Sequence, residues 1–315
     1  MRSHVIVILA LLPLQGCVQR PQSQVASPDL KVAAAKIRTT EVAILASEDS
    51  PAYAEVAKAL AKELGPRATI YYLTENQSDN LKTIARLKTE DHIQVVSIGL
   101  NASMLAKPLT HKQVVFCQVF NYQDYALLTS RHKGVSMLPS LPKTFETWRT
   151  LAPGTRTIGV ISGPGFDDVI QTARAAAKAH GFKLYHQIVN SDKEYQYAFK
   201  KMSKLVQGYW LLPDNRVLSE HILRDLMTFS VRNSKQVAVF NEELLKLGGL
   251  LSIGNDYQDI AHQVYDRLEQ AQGKESIPGP DIIYPEKINL RINSVMARNL
   301  NLKIPVKYRK FANAL

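Results

Sequence analysis

Cysteine is scarce in this 315-residue sequence, which contains only Cys17 and Cys117. Two cysteines cannot build a disulfide framework, and if Cys17 is modified then Cys117 has no partner. Cys117 lies in the apolar, β-branched run 113–119, which predicts a buried strand. A thiol in that setting is expected to be structural and unreactive.

Catalytic and metal-binding motifs are also lacking. The sequence has no HExxH zinc motif, no GxSxG nucleophile turn, no phosphate-binding P-loop and no metal-spaced set of cysteines and histidines. The turn Gly163-Pro164-Gly165 lacks the further glycines of a dinucleotide-binding site. We therefore expect no enzyme activity, no cofactor and no metal.

The apolar run near the N-terminus is too short to span a bilayer. It extends from Val5 to Leu12 after a basic start, whereas a spanning helix needs roughly 20 residues. A short apolar run of this kind is typical of a secretory signal. Leu14, Gly16 and Cys17 then resemble the bacterial lipobox, in which the cysteine receives a diacylglyceryl group. An ordinary cleaved signal followed by a coincidental cysteine is the alternative.

The lipobox resemblance makes residues 1–16 a predicted lipoprotein signal peptide and Cys17 the predicted lipidation site. Lipoproteins retained at the inner membrane of two-membrane bacteria tend to have Asp after the cysteine, whereas this chain has Val18. We therefore expect a periplasm-facing lipoprotein of the bacterial cell envelope, with the outer membrane favoured over the inner membrane. Residues 17–38, rich in Gln, Ser, Pro and Ala, are expected to form a flexible tether.

The charge of the chain is strongly positive, with a formal net charge of +11. The basic residues are dispersed and form no aromatic-interleaved stripe, so a nucleic-acid partner is not expected. One dense cluster, Lys303, Lys307, Arg309 and Lys310, lies near residue 305. It is either a solvated segment or a surface for anionic membrane headgroups.

Two series of alternating elements follow the tether. From Glu41 onward, short β-branched runs alternate with amphipathic segments of helix length, and the pattern restarts after Gly134. Such alternation predicts parallel sheets built from right-handed βαβ units. Two series over roughly 275 residues predict two α/β lobes rather than one wide sheet. Ligands of such sheets bind outside the carboxyl ends of the strands.

Four stretches between Gly134 and Pro305 resemble the ABC-transporter substrate-binding family of the class I periplasmic type, related to branched-chain and aromatic amino-acid binders. They are the strand and Gly-rich turn 157–165, the segment Leu212-Pro213-Asp214-Asn215, the run 248–259 and the closing segment 287–305. The resemblance implies the periplasmic binding protein type I fold, in which two Rossmann-like lobes with parallel sheets are joined by hinge crossings. It also implies that residues 39–133 and 257–278 form lobe one, and that 134–256 and 279–315 form lobe two.

Polar residues after the predicted strands of lobe two are candidate ligand contacts. Asp214 is suited to anchor an ammonium group, and Asn215 can both donate and accept, unless one of them only caps the following helix. Asp256 lies at a lobe crossing and, by the resemblance, faces the ligand; stabilisation of the hinge is the alternative. Asn241, after the strand that ends at Phe240, is a weaker candidate.

Ser47, Ser50 and Asn101 are the candidates in lobe one, because each lies next to a predicted helix N-terminus. Free amide groups and the positive end of a helix dipole suit a ligand carboxylate. The sequence departs from the family pattern at Leu100, where the family usually has Thr, and at 121–124, where it usually has Asp-Pro. The usual ligand of the family therefore cannot simply be assigned to this chain.

The function predicted from these features is capture of a small, amino-acid-like ligand for an ABC importer, with an ABC permease as a partner. We expect a zwitterion or a cation held by Asp214 and Asp256, with no cationic side chain in the equivalent loops. The alternative is an outer-membrane lipoprotein of the same fold that acts as a ligand sensor or envelope scaffolding partner without a dedicated permease. Fold alone does not separate the two.

Replacing Cys17 with Ser removes the thiol that would carry the lipid. The C17S protein should therefore move from the membrane fraction to the soluble fraction, because one apolar anchor is lost. Cell fractionation and intact-mass measurement check this expectation. Unchanged membrane association, with the same unprocessed mass in both forms, would contradict it.

Overall fold

The computed structural model describes residues 41–47, 50–90 and 93–314. The predicted signal peptide, the tether and Cys17 lie outside the described residues. The segment Thr39–Leu315 forms one compact unit. Within the described ranges, no helix is both long and apolar enough to cross a membrane.

Strands and helices alternate along the chain. The strands are β1 (Glu41–Ala46), β2 (Ala68–Tyr72), β3 (Ile93–Ile98), β4 (Val114–Cys117), β5 (His132–Val135), β6 (Thr157–Ser162), β7 (Lys183–Ile188), β8 (Gly208–Trp210), β9 (Gln236–Val239), β10 (Leu251–Asn255), β11 (Ile282–Ile283), β12 (Ile288–Asn293) and β13 (Ala312–Asn313). The α-helices are α1 (Pro51–Leu64), α2 (Gln77–Thr89), α3 (Leu100–Ala106), α4 (Leu141–Leu151), α5 (Asp167–Ala179), α6 (Asp192–Met202), α7 (Glu220–Arg232), α8 (Tyr257–Ala271) and α9 (Ser294–Asn299). Short 3₁₀ helices occupy Gly65–Arg67, Glu242–Leu245 and Val306–Phe311.

The first lobe is built on a six-stranded parallel sheet with the order β11-β5-β4-β3-β1-β2. Its central strands β1, β3 and β4 are almost completely buried, as parallel sheets covered by helices require. On one face, α1 and α8 contribute Val56, Leu60 and Val264 to the core. On the other face, α2 and α3 contribute Leu87 and Ala102. The sheet is therefore buried on both sides.

The second lobe has a seven-stranded sheet with the order β13-β12-β10-β9-β8-β6-β7. All its neighbouring strands are parallel except the pair β10 and β12, which is antiparallel. Trp148 of α4 fills the core on one face, and its indole N–H donates to Gln236 Oε1 at 2.7 Å. Tyr195 of α6 and Tyr209 of β8 fill the core on the other face. Two α/β lobes with largely parallel sheets confirm the predicted fold class.

The chain crosses between the lobes three times, and hydrogen bonds join the crossings to one another. Ser136 N, just after β5, donates to Ile283 O of β11 at 2.8 Å. Asn255 Nδ2, at the end of β10, donates to Met137 O at 2.5 Å. Asp259 of α8 accepts from the amides of residues 286 and 287, at 2.6 and 2.9 Å. These bonds make the three crossings a single hinge.

The lobe boundaries implied by the family resemblance differ from the observed strand pairing. The strand β5 spans the expected boundary between Lys133 and Gly134, and all of it pairs with β4 of the first sheet. The strand β11 lies beyond the expected boundary at 278 and also belongs to the first sheet, because it pairs in parallel with β5. The first crossing therefore follows Val135, and the third follows Ile283.

Cys117 is fully buried at the end of β4, and burial raises the pKa of its thiol to about 12. Because only the thiolate attacks disulfide reagents, the native protein should not react with Ellman's reagent at mildly alkaline pH. The C17S variant leaves Cys117 as the single thiol, and the same variant in guanidinium chloride provides the positive control. Rapid labelling of the folded variant would contradict the prediction.

Candidate functional site

The cleft lies where the carboxyl ends of the parallel strands of both sheets meet the crossings. In such sheets this is the edge at which loops are free to hold a ligand. Phe120, after β4 of the first lobe, contacts Phe166, before α5 of the second lobe, with ring centroids 4.6 Å apart. The two lobes therefore contact each other across the cleft.

Asp214 lies in the loop after β8, and its carboxylate is buried and fully engaged. The side chain is only 2 % exposed. Its oxygens accept hydrogen bonds from Gly163 N at 2.8 Å, from Arg216 Nε at 2.8 Å and from Arg216 Nη2 at 2.9 Å. This is the bidentate geometry in which an arginine matches a carboxylate. Asp214 therefore fixes the position of Arg216.

Arg216 also reaches across to the first lobe. Its Nη1 lies 2.5 Å from Oδ2 of Asp124, in the loop after β4. Its guanidinium carbon lies 4.9 Å from the centre of the Phe166 ring, which is a cation–π distance. Hydrogen bonding to Asp214 raises the pKa of Arg216 above its usual value, against the opposite effect of burial. The arginine is thus a permanent cation between two carboxylates.

Gly163 allows this network to form. A Cβ atom at that position would lie 2.9 Å from Arg216 Nη2 and 3.1 Å from Asp214 Oδ2. Any larger residue would push the guanidinium away from its buried carboxylate. The Gly-rich turn of the sequence therefore allows Arg216 to pack closely.

The expectation that the site has no cationic side chain is wrong, because Arg216 stands two residues after Asp214. The carboxylate of Asp214 is already neutralised, so it does not offer a free anion to an ammonium group. Arg216 directly follows Asn215 in the family-like segment, and its sequence position alone could have drawn attention to it. In the sequence, Asp124 belongs to the segment 121–124, which was noted only because it departs from the family pattern.

The other second-lobe candidates have separate positions. Asn215 is exposed, and its side chain makes no hydrogen bond within the described part of the chain. Asn241 is exposed and caps the 3₁₀ helix that follows, accepting from Glu243 N at 2.9 Å. Asp256 is partly buried and caps α8, accepting from Asp259 N at 3.0 Å. Asn241 and Asp256 therefore have structural partners at helix ends.

The first-lobe candidates are likewise placed at helix ends. The Ser47 hydroxyl is buried; it donates to Ile98 O and accepts from Ala102 N, both at 2.9 Å. Ser50 precedes α1, but its side chain makes no capping hydrogen bond. Asn101 is exposed in the first turn of α3. The hydroxyl of Ser47 thus holds α3 against β3.

Two partly buried tyrosines, Tyr122 and Tyr284, lie close to each other near the third crossing. Burial, with smaller contributions from the nearby groups Tyr284, Asp168 and Asp281, raises the pKa of Tyr122 to about 12. Tyr122 belongs to the first lobe, Asp168 to the first turn of α5, and Tyr284 to the crossing itself. Both phenols stay neutral at physiological pH, because the pKa of Tyr284 is also raised by burial. They present ring surface with one polar tip each.

Phe166 and Tyr122 differ in burial. Phe166 is 2 % exposed and belongs to the core of the second lobe. Tyr122 is partly buried and packs against Phe116, with ring centroids 5.7 Å apart. No group of three or more His, Cys, Asp or Glu side chains suited to a metal occurs in the described ranges.

Two α/β lobes, three joined crossings and a cleft at the strand ends define a binding protein of the periplasmic type. The sequence matches the family model described as ABC transporter substrate binding protein over residues 54–309. The chain belongs to this family, as the resemblance implied. The family binds solutes and is not a catalytic one, and its members are periplasmic or associated with the cell envelope.

Solved structures support the same fold. A conserved domain protein from Vibrio cholerae has 21% identity and a TM-score of 0.57, with 87% of this chain and 99% of that chain covered. An ABC domain from Streptococcus pneumonia, solved in complex with L-Trp, has 19% identity, a TM-score of 0.57 and the same coverage. An open, ligand-free substrate binding protein with adhesive properties from Clostridium difficile has 15% identity and a TM-score of 0.63, again with 87% and 99% covered. No curated protein matches the sequence.

Replacing Asp214 with Ala removes the bidentate partner of Arg216 and the acceptor of Gly163 N–H. The free energy of unfolding should fall by about 1.5–3 kcal/mol, the range for hydrogen bonds to charged groups. The neighbouring Asn215→Ala is the matched control and should change stability by less than about 0.5 kcal/mol. Urea denaturation of the three proteins measures both values, and equal stabilities for the two variants would contradict this assignment.

Proposed function

We propose that this chain captures a small, amino-acid-like solute between its lobes and delivers it to the permease of an ABC importer. Family membership supports the capture role. The observation that carries the ligand class is the pairing of Asp124 with Arg216 at 2.5 Å, because the two lobes present opposite charges to each other across the cleft.

A zwitterion complements this pair. The Nη1 group of Arg216 faces the first lobe, while Nε and Nη2 are held by Asp214. A ligand carboxylate fits the Nη1 side of the guanidinium, and a ligand ammonium fits the carboxylate of Asp124. One direct ion pair is then exchanged for two charge-assisted contacts through the ligand, which still join the lobes.

The surroundings favour a neutral ligand side chain. Phe120 and Phe166 lie beside the ion pair, and Tyr122 and Tyr284 lie near the adjoining crossing. Small-molecule sites combine apolar walls with few polar anchors, as this cleft does. The Streptococcus neighbour was solved with L-Trp, which is a ligand of the same class, although that likeness by itself shows only the fold.

The proposed function includes a lipid anchor at Cys17. Leu14, Gly16 and Cys17 support it by their resemblance to a lipobox, and the tether 17–38 would link the lipid to the compact unit that begins at Thr39. The anchor would hold the compact unit close to a membrane, and an anchor in the membrane of the permease would raise its effective concentration there.

Ligand-side and protein-side changes together test the proposed site. Neutral amino acids should raise the melting temperature with concentration, as mass action requires. Amino-acid amides, which lack the carboxylate, and N-acetyl amino acids, which lack the ammonium, should each bind about ten- to a hundredfold more weakly. Thermal-shift and calorimetric titrations provide the affinities.

Asp124→Asn should weaken the binding of the parent amino acid by about the same factor, but should not weaken the binding of its N-acetyl derivative further. Asp225→Asn, an exposed acid on α7 away from the cleft, is the control and should bind like the wild type. If sugars or anions alone shift the melting temperature, or if both variants bind the amino acid equally well, the assignment of the ligand class fails.

A further inference from the structure

Acidic residues are missing from the last part of the sequence. After Glu286 there is no Asp or Glu up to residue 315, while seven basic residues occur in that stretch. They are Lys287, Arg291, Arg298, Lys303, Lys307, Arg309 and Lys310. The segment 287–315 therefore carries +7 of the formal net charge of +11. Net positive charge is concentrated there, because acidic residues largely offset the dispersed basic residues in the rest of the chain.

Part of this charge lies on exposed side chains of the 3₁₀ helix Val306–Phe311. With three residues per turn, residues three apart share one side of the helix. Tyr308 and Phe311 share the side that packs against the core of the second lobe. Lys307 and Lys310 share a second side, and Val306 and Arg309 share the third; all four are exposed. We name the exposed residues Lys303, Val306, Lys307, Arg309 and Lys310 the basic face.

The cations of the basic face are not neutralised by the rest of the described chain. None of them forms an ion pair there, whereas Arg291 is paired with Glu242 at 3.5 Å. The ammonium groups of Lys307 and Lys310 each lie 4.9 Å from the centre of the aromatic ring that follows in sequence. Their charge is therefore available to an external partner.

We propose that the basic face binds the surface of an anionic bilayer. Four cations meet the phosphate headgroups, and Val306, which is 75 % exposed, lies among them as an apolar group that can enter the headgroup layer. The aromatic rings of this segment are turned into the core, so they are not free to stack on bases as in a single-stranded nucleic-acid site. This surface is independent of the cleft and of its ligand.

The partner class follows from where the chain is proposed to reside. A diacylglyceryl group on Cys17 would hold the compact unit near a bilayer by two acyl chains, which suffice for stable attachment. The basic face would then orient the compact unit against that bilayer rather than supply the attachment. The test uses the full chain with Cys17→Ser, so that no lipid contributes to binding. Vesicles of phosphatidylcholine alone and of phosphatidylcholine with phosphatidylglycerol are the two probes, and co-sedimentation measures binding.

Binding to the anionic vesicles should exceed binding to the neutral vesicles and should fall as salt is added. The triple variant Lys307→Gln, Arg309→Gln, Lys310→Gln should lose about fivefold in partition for each charge, and thus about a hundredfold in all. The matched control removes three exposed lysines of other helices, Lys58→Gln, Lys62→Gln and Lys178→Gln, and should retain most of the binding. Val306→Ser should weaken binding without changing its salt dependence.

Residues 1–38 are common to every variant, so their contribution cancels in the comparison. Thermal unfolding of each variant verifies that the fold is intact. Equal losses in the two triple variants would overturn the proposal, because net charge rather than the basic face would then explain binding. Equal binding to both kinds of vesicle, or none to either, would overturn it as well. Failure of the ligand titrations would leave this result unaffected, since no residue of the cleft is changed.

Discussion

The cleft depends on the two ion pairs that the guanidinium of Arg216 forms, one with Asp214 and one with Asp124. This guanidinium neutralises a buried carboxylate within its own lobe and meets a carboxylate of the other lobe with the same planar group. The two carboxylates differ in how far they are exposed to solvent. Asp214 is 2 % exposed, so loss of its partner would leave an uncompensated buried charge, whereas Asp124 is 35 % exposed and its charge is well solvated. Under the proposed function, Arg216 would therefore remain with the second lobe and exchange its partner on the first lobe.

That inequality suits the proposed capture of a ligand between the lobes, which requires the cleft to open and close. A part-exposed ion pair contributes about 0–1 kcal/mol, which a ligand with matching charges can replace at little cost. A stronger pair between the lobes would hold the cleft shut against its ligand. The aromatic contact of Phe120 with Phe166 adds apolar area beside the pair, but it too involves one residue from each lobe and can separate as a unit.

The hinge supplies the other constraint. Three chain crossings would allow twisting as well as closing if they moved separately. The bonds of Asn255 to Met137 and of Asp259 to the amides of residues 286 and 287 tie the crossings together. Opposing side chains of the two lobes then meet in a fixed register. This register is what brings Asp124, from the loop after β4, onto Arg216, from the loop after β8.

The sequence by itself determined the lobes, since the alternation of β-branched and amphipathic segments is a local property that helices and strands must obey. It also predicted the buried state of Cys117 and the turn at Gly163. Only the tertiary structure decided which polar groups of the strand-end loops are free. Asp214 is a candidate anchor by position, yet a cation two residues away occupies it. Asp124 and Arg216 are 92 residues apart in the chain. Strand β11 follows the segments of the second lobe in the sequence, yet it pairs with β5 of the first sheet. Contacts between distant segments depend on how the lobes dock, and no local pattern encodes that geometry.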